Sequence, residues 1–302
     1  MTWLFTALGA ALILAALLDI FHTLWHPRGF GGGARRIFAT VWRLTRPLSR
    51  EGRSSELSGP LALVLTVLIW TLLTVLGWAL VYLPHLPDGF HYGSSLDPGR
   101  SSGFLTAVYV STVAVATLGL GDITPATWGL RLLVPLQALV GFILLTAGIS
   151  WVLQLYPALG RRRSFASRLT ALTRADTAQV IREGEPSVAT GLLSSVTEGV
   201  LQTQTDLLQY GESYFFREES PRDSLAATGQ VLVDLVDAGR ASGAVEVRHA
   251  AEVLAAAVEH LVRTIVSQYP HLSGASDDEP ATALRLVADD HQHEPLRLPA
   301  AG

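Results

Sequence analysis

Six consecutive residues, Thr117-Leu118-Gly119-Leu120-Gly121-Asp122, carry the chain's most specific chemistry. A dehydrated monovalent cation needs oxygen atoms in place of its water shell, and successive backbone carbonyls turned toward one axis can supply them. Such an alternating backbone needs dihedrals that Gly119 and Gly121 adopt cheaply, because neither has a Cβ. One chain gives one row of carbonyls, so several chains must surround the axis. The same Gly-x-Gly-Asp spacing fits an intramembrane aspartyl protease, whose chemistry needs a second carboxylate close enough to share a proton and activate water.

Two other groups have reactive side chains. Asp19, His22 and His26 fall at i, i+3 and i+7 on one face of an apolar stretch, where ionisable groups are functional candidates for metal or proton sensing. The alternative is a polar staple to neighbouring helices or to the basic loop that follows. His291-Gln292-His293-Glu294 offers a weak metal tract in an acidic segment, more simply read as solvated. Trp25, Trp70, Trp78 and Trp128 fit interfacial anchoring better than an aromatic cage.

The elements that must position the Gly-rich segment are apolar. Trp3 to Trp25, Leu61 to Leu83 and Trp128 to about Leu155 are each long enough to span a ~30 Å hydrocarbon core as helices. No charged region precedes Trp3, so a retained helix is expected there rather than a signal peptide. Phe104 to Ala116 is too short to span, and Ser101 or Ser102 is expected to cap it. It enters the membrane and stops at the glycines, where irregular backbone survives only inside protein or along water. Its C-terminal end carries partial negative charge, which favours a cation there.

Charge sets the topology. Residues 1–163 hold 12 Arg against 6 acids, and residues 164–302 hold 10 Arg against 20 acids. Arg35, Arg36, Arg43, Arg46, Arg50 and Arg53 alternate with Ile37, Val41, Trp42 and Leu44, as in an amphipathic helix lying on anionic headgroups. Those arginines and Arg161-Arg162-Arg163 place both flanking ends in the cytoplasm by the positive-inside rule, with the N-terminus outside. Asp19 and Asp122 then lie toward opposite faces of the bilayer, which separates the two carboxylates a protease needs. The acidic half argues against nucleic acid as a partner. The absence of cysteine excludes disulfides and thiol chemistry.

From Ser164 to Ser273 apolar residues recur at helical spacing, as in Leu192/Leu193/Val196/Val200 and Val258/Leu261/Val262/Ile265. Breaks are expected at Gly184–Pro186, Glu218–Pro221 and Ala241–Gly243. Neither the strands of a nucleotide-binding module nor the regularly spaced arginines of a voltage sensor are present.

The segment Phe104–Leu155 resembles the pore domain of the potassium channel family, whose signature is Thr-Val-Gly-Tyr-Gly-Asp between a pore helix and an inner helix. Thr117, Gly119, Gly121 and Asp122 are identical to it, while Leu118 replaces Val and Leu120 replaces Tyr. Asp122 to Pro125 and Trp128-Gly129-x-Arg131 also resemble family sequences. The resemblance covers about a fifth of the chain, or nearly a third with Leu61–Leu83 as outer helix. It implies a homotetramer with K+ held by the carbonyls of Thr117, Leu118, Gly119 and Leu120 and by the Thr117 hydroxyl. Gly121 completes the filter, and no cofactor beyond the permeant ion is implied. Val113 stands where the family often has Glu, so Asp122 loses a partner that Tyr109 could replace. A less rigidly held filter follows, with a weakly selective monovalent cation channel as the alternative. Gly141 lies about where the family places its hinge glycine, with Gly148 a second hinge position. Close helix packing is the other use of such small residues.

The expected organisation is an all-α membrane protein with no enzyme activity. Residues 1–27 form a first transmembrane helix and 28–58 a basic cytoplasmic amphipathic linker. The pore domain occupies 59–158, with outer helix 61–83, loop 84–103, pore helix 104–116, filter 117–121 and inner helix 128–155. A helical cytoplasmic domain follows at 159–272, taking an unidentified cytoplasmic regulator or only aiding assembly, and 273–302 is a disordered acidic tail. The expected location is the plasma membrane, of the bacterial inner-membrane type. A non-conducting membrane scaffold is the third reading, and the Thr–Gly–Gly–Asp frame speaks against it.

Overall fold

Three apolar runs fold as the long helices of a multi-pass membrane protein: α1 (Thr2–Leu24), α3 (Ser58–Tyr82) and α5 (Trp128–Arg174). The computed structural model describes residues 2–25, 31–49, 57–99, 102–272 and 279–298. His26, Arg50, Arg53, Ser101 and residues 273–278, named above, lie outside them. The remaining helices are α2 (Gly32–Ser49), α4 (Phe104–Val115), α6 (Thr177–Glu183), α7 (Pro186–Gln209), α8 (Leu225–Arg240), α9 (Val245–Gln268) and α10 (Pro280–Asp290). One two-stranded antiparallel ribbon, β1 (Phe90–Tyr92) with β2 (Ile123–Pro125), interrupts the helical pattern. Two compact units divide the chain, residues 1–26, 30–37 and 63–154, and residues 27–29, 38–62 and 155–302.

In the first unit, α1 crosses α3 at a pair of glycines. A Cβ on Gly9 would collide with the Gly77 carbonyl oxygen, and one on Gly77 would stand 2.7 Å from Ile13. Small residues at such a crossing let backbones approach closely, which is how apolar helices associate where lipid removes the hydrophobic drive. Toward the other end of α1, Asp19 accepts the Gly33 and Ala34 amides at 2.8 and 3.1 Å and the Trp70 indole N–H at 2.8 Å. The carboxylate thus satisfies orphan donors at the positive N-terminus of α2 and ties that end to α3. Trp70 stacks on Trp151 of α5 with ring centroids 5.4 Å apart.

The second unit is built on the helical faces anticipated for residues 164–273. Leu193, Val196, Val200, Leu232, Leu254 and Leu261 are buried, with α7 and α8 packed on α9. α6 ends before Gly184, and α8 and α9 are separated by residues 241–244.

Four expectations need correction. The inner helix does not stop near Leu155: α5 continues to Arg174, because Leu155, Leu159, Phe165, Ala166 and Leu169 give its extension a buried face. Arg161-Arg162-Arg163 therefore lie inside the helix, and Arg162 is buried. The apolar face of α2 does not lie on headgroups. Phe38, Val41 and Trp42 are buried, and both Phe38 and Trp42 sit 5.8 Å from the Phe215 ring. Amphipathicity specifies an apolar cover, and here the cover is protein.

The acidic tail is not disordered over 280–290. α10 starts with Pro280 in its first turn and buries Ala283, Leu284, Val287 and Ala288, a helical stripe that packs on α8 and α9. His291 is likewise buried rather than solvated. Finally, Ser102 does not cap α4. Gly103 is its N-cap, without a side-chain bond, and the Ser102 hydroxyl donates to the Gly99 carbonyl at 3.4 Å.

Candidate functional site

The site begins where α4 stops. At twelve residues this helix is about 18 Å long, too short to cross a bilayer. Its end is closed by two backbone bonds, from Leu118 N–H to the Val113 carbonyl and from Thr117 N–H to the Ala114 carbonyl, each 3.0 Å. These are the paired bonds of a Schellman termination, which requires the residue after the cap to be left-handed. That residue is Thr117, with φ 55°. Glycine is usual there, and a β-branched residue in this region is a strained outlier of the kind that gathers at functional sites.

The strain belongs to a pattern. Thr117, Gly119 and Gly121 have φ of 55°, 57° and 79°, while Leu118 and Leu120 stay on the negative side. An extended strand turns successive carbonyls to opposite sides. Alternating handedness removes that reversal and aligns a row of oxygens. The Leu118 and Leu120 side chains are 62% and 60% exposed in the single chain. A Cβ on Gly119 or Gly121 would meet no atom within 4 Å, so those positions need glycine for its backbone freedom and not for space.

The far end of the segment is pinned by three contacts. The Tyr109 hydroxyl donates to Asp122 Oδ2 at 2.5 Å. Gly93 N–H donates to the Asp122 carbonyl at 2.8 Å, and the β1–β2 pairing sets Tyr92 opposite Ile123. Val113 contributes its carbonyl to the helix termination rather than a side-chain brace. Behind the ribbon, Trp78, Val81, Tyr82, Phe90, Val110 and Leu130 form one buried cluster joining α3, β1, α4 and α5.

A buried polar network escaped the sequence reading. Tyr82 donates to Gln137 Oε1 at 2.7 Å, and Gln137 Nε2 donates to the Ser111 carbonyl at 2.9 Å and hydroxyl at 2.8 Å. Ser111 in turn donates to the Val75 carbonyl at 2.7 Å. The network ties α3, α4 and α5 together. Its signal was an isolated Gln within an apolar run, where an unsatisfied amide costs several kcal/mol.

Gly141 and Gly148 separate in role. A Cβ on Gly141 would overlap the Val115 carbonyl oxygen and stand 2.9 Å from its carbon, so this glycine lets α5 touch the last turn of α4. A Cβ on Gly148 would find Val67 at 3.7 Å, an ordinary contact. α5 runs unbroken through both. Gly141→Ala is expected to displace the end of α4 and lower the unfolding midpoint, while Gly148→Ala leaves both nearly unchanged. Thermal denaturation of the two variants in one detergent checks this, and equal behaviour would count against the packing role.

The two aspartates of the protease reading have separate partners. Asp19 is engaged by α2 and Trp70, whereas Asp122 is engaged by Tyr109. His22 directs Nδ1 to the Leu18 carbonyl at 2.7 Å, along its own helix. Among the described residues, no three His, Cys, Asp or Glu side chains gather as a metal-holding group.

Residues 64–156 match a family model described as "Ion channel", and these bounds enclose α4, the 117–121 segment and most of the apolar part of α5. The chain is also similar to a protein of Bacillus subtilis (strain 168) named "Uncharacterized membrane protein YdjJ", 29% identical over 166 residues. That alignment covers 54% of this chain and 48% of the relative, so the chain spans about half the length of the curated relative it matches. No solved structure matches the chain.

Proposed function

We propose that this chain is one subunit of a potassium-preferring channel, with four copies placing residues 117–121 around a common axis. The observation that carries the proposal is the alternation of backbone handedness at Thr117, Gly119 and Gly121, directly after a short helix that cannot span. Such a row of carbonyls replaces an ion's hydration shell only when other rows complete the ring. The exposed apolar surface of α5 supports the assembly. Leu132, Leu136, Leu139 and Ile143 form one exposed stripe, and Leu145, Ile149 and Leu153 a second. One stripe takes lipid and the other takes neighbouring copies. An open apolar groove of about 660 Å³ lies beside Thr117 and Gly141 in each copy.

In this reading Tyr109 and the β1–β2 ribbon hold the outer end of the filter and Asp122 stands at its mouth. The N-terminus is outside and the C-terminal helices are cytoplasmic. Purified protein in planar bilayers, with K+ on one side and Na+ on the other, tests the proposal. A reversal potential displaced far toward the K+ equilibrium value is the expected result. A value near zero would replace potassium preference by weak monovalent selectivity. No unitary current at all would leave a membrane scaffold.

A further inference from the structure

The histidine tract of the tail does chemistry of a different kind from metal binding. His291 sits directly after α10, its ring 4.9 Å from that of Trp42 on α2 and 4.8 Å from that of Tyr214. The residue is only 4% exposed, and neither ring nitrogen has a hydrogen-bond partner among the described residues. Arg217 lies over the Trp42 ring at 4.4 Å. The indole thus already serves one cation while its neighbour is an unbonded imidazole.

We propose that His291 is a proton-binding site and that acid, by charging it, lifts the Trp42-bearing part of α2 off the helical unit. The inference does not depend on ion conduction.

The groups facing His291 settle the direction. From α10 comes Asp290, whose oxygens are already taken: Oδ2 accepts from Trp42 at 3.0 Å, Tyr214 at 2.7 Å and His271 at 3.2 Å, and Oδ1 faces Arg46 at 3.5 Å. From α5 comes Arg162, held to Glu218 at 2.6 Å, with Arg163 3.8 Å from the same oxygen. The turn before α8 contributes Arg217 and Tyr214, and the tail adds His293, whose Nε2 donates to the Glu218 carbonyl at 3.1 Å. Tyr269 stacks on Tyr214 and remains part of the ring cluster.

Burial pushes the His291 imidazole well below its ordinary range. The Asp290 charge opposes this, while Arg162, Arg217 and His293 reinforce it. Burial raises the Asp290 carboxyl, but hydrogen bonds from His271 and Tyr214 and the nearby histidines outweigh it and hold the group to about 2. Asp290 therefore stays ionised across mildly acid pH, and its contribution does not change there. His291 behaves differently. It is neutral when covered and takes a proton at about 6.5 when released. Covering is unaffected above that pH. Below it, the covered-to-released ratio falls up to tenfold per pH unit, by as much as ~30-fold at pH 5.0.

α2 is the element that yields. α10 is anchored independently through Leu284 and Val287, and the tail through Leu296 N–H to the Ala227 carbonyl and Arg297 to Asp234, both 2.8 Å. The Trp42 face instead rests on the ring cluster and the Asp290 contacts.

Hydrogen–deuterium exchange of the full chain in nanodiscs, corrected for the intrinsic pH dependence, tests the switch. Between pH 7.5 and 5.0, amides of residues 38–46 are expected to lose protection with a slope approaching one proton, while α9 and α10 keep theirs. His291→Phe fills the ring site without titrating and should hold 38–46 protected at pH 5.0. His293→Gln should respond as the native chain does. A flat native profile overturns the proposal whatever the variants do. So does an acid response that survives in His291→Phe, or one abolished by His293→Gln. If His291→Phe disturbs α10 at pH 7.5, His291→Gln serves as the second non-titrating variant, read by the same criterion.

Discussion

Gly119→Ala and Gly121→Ala chains are expected, on the proposed channel reading, to reach the bilayer and assemble, yet to pass no unitary K+ current. The cost is conformational, since a Cβ added at either position would meet no atom within 4 Å. Holding a non-glycine residue at φ of 57° or 79° costs roughly 1–2 kcal/mol, which over the proposed four-copy ring is about 4–8 kcal/mol. A chain so strained relaxes toward negative φ, which turns a carbonyl away from its neighbours. Thr117 already holds one left-handed residue, and two Schellman bonds help it do so. Gly119 and Gly121 have no such bonds among those described, so they are the positions where an added Cβ takes effect. Planar-bilayer recording beside size-exclusion chromatography provides the check. Unitary currents of native amplitude from correctly assembled Gly119→Ala would contradict the assignment of this segment as the conduction path.

Arg162→Met is expected to destabilise the helical unit more than any surface change. The guanidinium donates to the Ser213 and Phe216 carbonyls and to Glu218, each at 2.6 Å. The Arg162 and Glu218 side chains are 8% and 5% exposed. Removing the cation leaves the buried carboxylate with the more distant Arg163 at 3.8 Å and strands two carbonyls, which costs about 3 kcal/mol. For a unit of this size the unfolding midpoint should fall on the order of 10 °C. Adding Glu218→Leu should recover much of the loss, because the buried charge then leaves with its partner. Thermal denaturation of single and double variants in one detergent distinguishes these outcomes. If Arg162→Met melted with the native protein, the buried pair would have no part in holding the unit.

The membrane-spanning elements were legible because uninterrupted apolar runs such as Leu61–Leu83 have few folded alternatives. The short helix was legible for a related reason, since glycines follow Phe104–Ala116, but its end was not: it closes at left-handed Thr117, two residues before the first glycine. What escaped was the identity of the covering surface. Phe38, Val41 and Trp42 form an apolar stripe whether lipid or Tyr214, Phe215 and Phe216 lie against it, and periodicity is silent on that choice. α10 was hidden by composition. Acids and prolines around residues 273–298 outweighed the spacing of Leu284, Val287 and Ala288, although Pro280 in the first turn was itself a helix-start signal. Arg161-Arg162-Arg163 misled for a third reason. An arginine cluster after an apolar run reads as a solvated stop, and only tertiary packing shows that its middle member is buried.

The bonds joining Tyr82, Gln137 and Ser111 set how far α4 can slide against its neighbours. Apolar contacts can slide along one another with little penalty, because one methyl resembles the next. A side-chain amide engaged at both ends cannot. A slip of one helical turn, about 5.4 Å, would leave the Tyr82 hydroxyl, the Gln137 amide and the Ser111 hydroxyl facing hydrocarbon together. The network therefore fixes the register of α4 against α3 and α5, a constraint that apolar packing alone would not impose.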